Sequence, residues 1–163
     1  MNLEHLVRFQ VGGPKLMAKG KAAAPREDEL SKADYERLAE FRYLLRHFLI
    51  FSEDAAAAAG LTAQQHQALL AIKGFVGRDV VTTGELAERL GVRHHSAVGL
   101  ADRLVAKGLV RRESDSADRR LVLLALTPKA EALLAKLSAA HRDELHRLAP
   151  LLQEILDGLR RPA

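Results

Sequence analysis

The stretch Thr82–Gly108, TTGELAERLGVRHHSAVGLADRLVAKG, holds two helix starts and two glycine stops. Thr82 is placed to cap a helix with Glu85 at its third position, so that side chains and backbone amides can exchange bonds at the N-terminus. Gly91 ends that helix early. A second helix is expected from near Arg93 to Lys107, with Gly108 as its stop. Ala87 and Gly91 stand four apart across the join. A small side chain there lets the helices approach, and glycine suits a turn that needs positive φ. This is the spacing of a helix-turn-helix, whose second helix offers its N-terminal side chains to the major groove of duplex DNA. Those side chains are Arg93, His94, His95 and Ser96. Each can bond a base edge or a phosphate, and none is a good core residue. Arg103, farther along, is counted with them as a DNA contact. Val98, Leu100 and Leu104 are expected to face inward.

Downstream, LVRRES and RRLVLLAL read as strands separated by Asp115-Ser116-Ala117-Asp118, a good turn composition. A hairpin directly after a recognition helix is a wing. Leu121 to Leu126 are expected to anchor it, with Arg119 and Arg120 where the strand leaves the core. Asp118 stands two residues before Arg120, in position to hold its guanidinium extended. A pre-oriented arginine suits the narrow, electronegative minor groove. The charge gathers here too. Between Arg89 and Arg120, eight basic residues (Arg89, Arg93, Arg103, Lys107, Arg111, Arg112, Arg119, Arg120) face four acids (Asp102, Glu113, Asp115, Asp118).

Upstream, Leu38, Phe41, Leu45 and Phe48 give helical periodicity from Asp34 to about Ala59, and Gly60 ends it. Thr62 with Gln65 repeats the capping box, and Gly74 and Gly77 close that helix. Thr127-Pro128 opens the last helix, where the missing proline amide costs nothing. Its Leu134, Leu137, His141, Leu145, Leu148, Leu152, Ile155 and Leu159 form a near-heptad seam, and Pro150 is expected to kink or break it. So long an apolar edge reads as a dimerisation element paired with the first helix. An intramolecular helical hairpin is the alternative. The fold expected is mainly α with a small β hairpin: an arm over 1–33, a dimerisation helix over 34–60, a winged helix-turn-helix over 61–127, and a C-terminal dimerisation helix or helices over 128–163.

With 48% apolar and 28% charged residues the chain is globular, and aromatics at only 4% favour helices over sheet. The absence of cysteine excludes disulfides, thiolate catalysis and cysteine–zinc sites. No apolar run approaches a membrane span and no signal-peptide core is present, so a cytoplasmic location without membrane contact is expected. Phosphate loops, serine elbows and the H-E-x-x-H motif are missing, which argues against an enzyme, and no cofactor is expected. His141 on the seam, with His47 and His66 on helices able to pack against it, is a candidate effector pocket. The competing reading is a buried histidine bonded to a backbone carbonyl or to a carboxylate. The second is preferred, and no metal site is expected, because HRDELH lacks the spacing that sets two ligands on one helical face.

Taken in order, ELAERLGV, ADRLVAKGLVRRES and SADRRLVLLALTPKAEALL resemble the MarR family of bacterial winged-helix regulators over roughly residues 35 to 160. The family's Asp-x-Arg wing motif falls on Asp118 and Arg120. The resemblance implies a homodimer, paired through its first and last helices, that binds palindromic operators on double-stranded DNA. It also implies release by a small anionic or phenolic effector bound between the dimerisation and DNA-binding parts. Where that family often has Ser-Arg-Ser-Thr and then Thr-Arg, this chain has Arg93-His94-His95-Ser96 and then Val98-Gly99. Position 99 lacks the long donor, so a relative's operator does not carry over. A winged-helix module that meets protein or RNA is the alternative, distinguished by a shallower dependence on salt.

Overall fold

The computed structural model describes residues 30–114 and 121–159. The elements run α1 (Lys32–Ala58), α2 (Ala63–Lys73), β1 (Val80–Thr82), α3 (Thr83–Leu90), α4 (His94–Ala106), β2 (Val110–Ser114), β3 (Val122–Leu126) and α5 (Pro128–Leu159). The arm expected over 1–33 falls largely outside the described residues, and helix α1 begins at Lys32.

Local chemistry sets the central boundaries. At Thr62 and at Thr82 both bonds of a capping box form: the threonine hydroxyl accepts from the amide three residues on, and the Gln65 or Glu85 side chain accepts from the cap amide. Gly91 closes α3 at φ 62°, ψ 32°, a left-handed conformation that a residue with a Cβ adopts only at a cost. Its neighbour Val92 donates its amide to the Ala87 carbonyl, so the turn is bonded back onto the helix it ends.

The expected hairpin is part of a three-stranded antiparallel sheet in the order β1-β3-β2. β3 is central: Val81 pairs with Leu124 on one side and Arg112 pairs with Leu124 on the other. That position explains the unbroken apolar run in its sequence, since Leu123, Leu124, Ala125 and Leu126 are all buried. β1 escapes sequence reading because three residues are too few to display a period of two.

Two apolar clusters form. The larger gathers Leu69 and Ile72 of α2, Leu86 of α3, Leu100 and Leu104 of α4 and Leu124 of β3, and reaches Ala56 of α1 and Leu134 and Leu137 of α5. The smaller joins Leu44 of α1 to Leu148 and Ile155 of α5, with Phe41, Phe48, Leu152 and Leu159 packed around them. The seam read from the sequence as a dimerisation edge is therefore covered mostly within the chain, and only its Leu145 is exposed. Nor does Pro150 end the helix, for α5 continues to Leu159. Leu148 and Ile155 grip α1 on both sides of the proline, which holds the helix across the one lost backbone bond. Among the described residues no helix is long and apolar enough to cross a membrane.

Candidate nucleic-acid interface

Helix α4 has one side committed to the core and one side open. Ala97, Leu100, Ala101 and Leu104 are buried, which locks its rotation against α2, α3 and β3. Val98, expected inside with them, is half-buried. Arg93, His94, His95 and Ser96 are exposed at its N-terminus, and Arg103 is exposed two turns later. Five of the residues read from the sequence thus lie on a single helix and are accessible together. Unlike α2 and α3, α4 starts without a side-chain cap: Arg93 is its N-cap residue and supplies no such bond. The Ser96 amide bonds back to the Arg93 carbonyl at 2.9 Å, and no side chain caps the amides of His94 and His95 before it.

The cations of this region divide into committed and uncommitted ones. Arg112 on β2 bonds to Asp102 on α4, tying the wing strand to the recognition helix. Arg111 pairs with Glu113 at 2.6 Å and also donates to the Leu126 carbonyl. Lys107 donates to the Gly60 carbonyl at 2.9 Å and to Gln65 at 3.1 Å, holding the end of α4 to the α1–α2 turn. Arg78 and Arg89 both lie against the Phe75 ring, with Arg78 also paired to Glu85. Arg93 and Arg103 carry no ion pair among the described residues. Counting charge in the sequence treats all of these cations alike. Which are spent on the fold depends on strand register and helix rotation, and neither is a local property of the sequence. Asp118, Arg119 and Arg120 lie outside the described residues, in the segment that joins β2 to β3.

The three histidines assigned to an effector pocket do not all converge. His66 of α2 is buried, and its ring lies 4.8 Å from that of His141 on α5. The Nδ1–H of His141 donates to the Leu137 carbonyl at 2.6 Å, since a carbonyl can only accept. In the neutral ring its Nε2 then accepts from the Ser52 hydroxyl of α1 at 2.8 Å. Phe48 and Phe51 of α1 flank the same ring edge-on. His141, half-buried, thus has both ring nitrogens bonded within the fold, one of them to a backbone carbonyl. His47 is elsewhere: it is exposed and lies against Tyr43, with 4.2 Å between ring centroids and the ring planes tilted by 52°. Burial of the His66 ring, and then the neighbouring His141, hold its pKa below that of an ordinary histidine.

Known proteins share this arrangement. Residues 59–121 match the family model of the MarR family. The transcriptional regulator BldR from Sulfolobus solfataricus is similar over 80% of this chain and 95% of its own, at 26% identity and a TM-score of 0.58. AbsC, a MarR family transcriptional regulator from Streptomyces coelicolor, aligns over 73% of this chain and 80% of its own, with 21% identity and a TM-score of 0.60. Apo MarR from E. coli gives 22% identity and a TM-score of 0.57 over 75% of this chain and 96% of its own. Residues 59–121 of this chain are thus similar to the MarR family, and the described part of that stretch carries α2, β1, α3, α4 and β2 in the order of a winged helix-turn-helix.

Proposed function

We propose that the protein is a sequence-specific transcription regulator of double-stranded DNA, a homodimeric repressor that reads a palindromic operator and answers to a small effector. The observation that carries this reading is the open face of α4. Arg93, His94, His95, Ser96 and Arg103 are exposed on a helix whose opposite face is fixed in the core. Donors of this kind, presented rigidly from a single rod, match base edges and phosphates of a major groove. Asp118, Arg119 and Arg120 extend the proposal to the wing, where Arg120 enters the minor groove beside the recognition helix.

Pairing is supported by what α1 and α5 leave uncovered. Leu38, Leu45 and Leu49 on α1, and Leu145, Leu151 and Leu156 on α5, remain exposed after the two helices have packed on each other. A second copy would cover them and would set two recognition helices at a fixed spacing. The His66–His141 pair lies where α1, α2 and α5 meet, and that junction is the proposed effector site, suited to an anionic or phenolic molecule. His47, remote from the pair, has no part in it.

Selection of bound sequences from a random duplex pool tests the reading. The expected product is an inverted repeat whose half-site centres lie about 34 Å apart, one DNA turn. A single unrepeated site would remove the homodimer, and a pool without enrichment would remove DNA recognition altogether.

A further inference from the structure

A glycine in the middle of an exposed recognition surface is an odd choice. It weakens the helix by about 1 kcal/mol against alanine and offers the groove no functional group. Gly99 of α4 is such a residue, and the structure shows what lies over it. A Cβ built at Gly99 would sit 3.5 Å from Nη1 of Arg103. Side chains on a helix lean towards its N-terminus, and residues four apart share a face, so Arg103 folds back along the open side onto the bare backbone. Its guanidinium thereby occupies the place where a long side chain at position 99 would project, in the column that begins with His95 and Ser96.

Two further features keep that guanidinium available. The neighbouring carboxylate, Asp102, is engaged by Arg112 from β2. Among the described residues no acid lies within ion-pair distance of Arg103. The carboxylate next to it in sequence is engaged by the wing strand, and the guanidinium is exposed without an ion pair among the described residues. Its planar fork of donors matches the two acceptors, O6 and N7, that guanine shows in the major groove.

We infer that Arg103, seated over Gly99, is the specificity-determining residue of the recognition helix and reads a guanine in each half-site; this rests on the DNA-binding function proposed above. Gly99 is then a positioning residue: a Cβ there would meet Arg103 Nη1 only at contact distance, but a longer side chain would take the place of the guanidinium. The same sequence selection, repeated with three variants, tests it. The parent is expected to enrich one invariant guanine column per half-site. Arg103→Ala should lose that column by roughly tenfold or more in base preference while the other columns persist. Arg103→Lys keeps the charge but not the fork, and should retain non-specific affinity within about threefold while the column weakens. Gly99→Leu retains the arginine and strengthens the helix, so a folding defect is not expected; by filling the space it should erase the same column, leaving non-specific affinity within about threefold.

If Arg103→Ala lowers affinity for every duplex alike and the guanine column survives, Arg103 touches phosphate and the inference is wrong. Survival of the column in Gly99→Leu would separately remove the role of Gly99 and overturn the seating. A parent that binds no duplex would take down the DNA-binding reading and this inference with it. A parent that binds, with its columns unaltered in all three variants, overturns the inference alone.

Discussion

The His66–His141 contact is where a single residue most clearly couples the two parts of the chain. His66 belongs to α2, while His141 and its Ser52 partner belong to the α5–α1 pair, so the ring contact spans the junction. His66 meets the His141 ring of α5, and His141 in turn meets the Ser52 hydroxyl and the Phe48 and Phe51 rings of α1. No carboxylate forms an ion pair with either histidine among the described residues. Burial and the second imidazole both disfavour charge on His66 and lower its pKa. The unfolded chain takes up a proton at His66 near pH 6.5, whereas the folded chain resists until lower pH, so its neutral form contributes stability that is lost as pH falls below that point. The melting temperature should therefore drop between pH 7.5 and pH 5.5, and His66→Gln should flatten the fall. An unchanged slope in His66→Gln would remove the role of this ring. From the sequence, three histidines could be gathered on helices able to pack, and two of them do meet. His47 was not separable from them, because which face of α1 turns to α5 is settled only by packing of Leu44 and Phe48.

At the scale of elements, the winged domain was legible because its boundaries are written in local chemistry. Thr62 with Gln65 and Thr82 with Glu85 each satisfy orphan amides from both directions, and Gly91 supplies the left-handed turn. Bonds from the Thr82 amide, then from its hydroxyl and Arg78, hold the Glu85 carboxyl below the usual carboxylate range. Thr82→Ala should cost about 1 kcal/mol in chemical denaturation, with a larger share lost from protection of α3 amides in hydrogen exchange. Loss below a few tenths of a kcal/mol would mean that tertiary packing alone holds the start of α3. Features that depend on distant partners were less legible. β1 pairs with a strand more than forty residues away, and α5 passes through Pro150 because α1 braces it on both sides. The burial of four successive residues in β3 is visible in LVLLAL as an unalternating run, a sign of a central strand that also fits an anchored hairpin arm.

For the whole molecule, the apolar seam divides between two duties. Leu134 and Leu137 close the winged domain against α5, and Leu148 and Ile155 close α5 against α1. The remaining apolar residues of both helices stay at the surface, and a second copy is the proposed cover. On this account α1 and α5 connect the histidine junction, the pairing face and the recognition helix through packed side chains. Cation placement follows the same division, since Arg111 and Arg112 of β2 are paired within the fold while Arg93 and Arg103 carry no ion pair among the described residues. The most direct test is equilibrium titration of a selected palindromic duplex against a scrambled duplex, repeated from about 50 to 200 mM salt. The palindrome should bind on the order of 10³-fold more tightly, with two chains per duplex, and log affinity should fall linearly and steeply with log salt. Equal affinity for both duplexes, or affinity indifferent to salt, would contradict recognition of DNA by α4 and the wing.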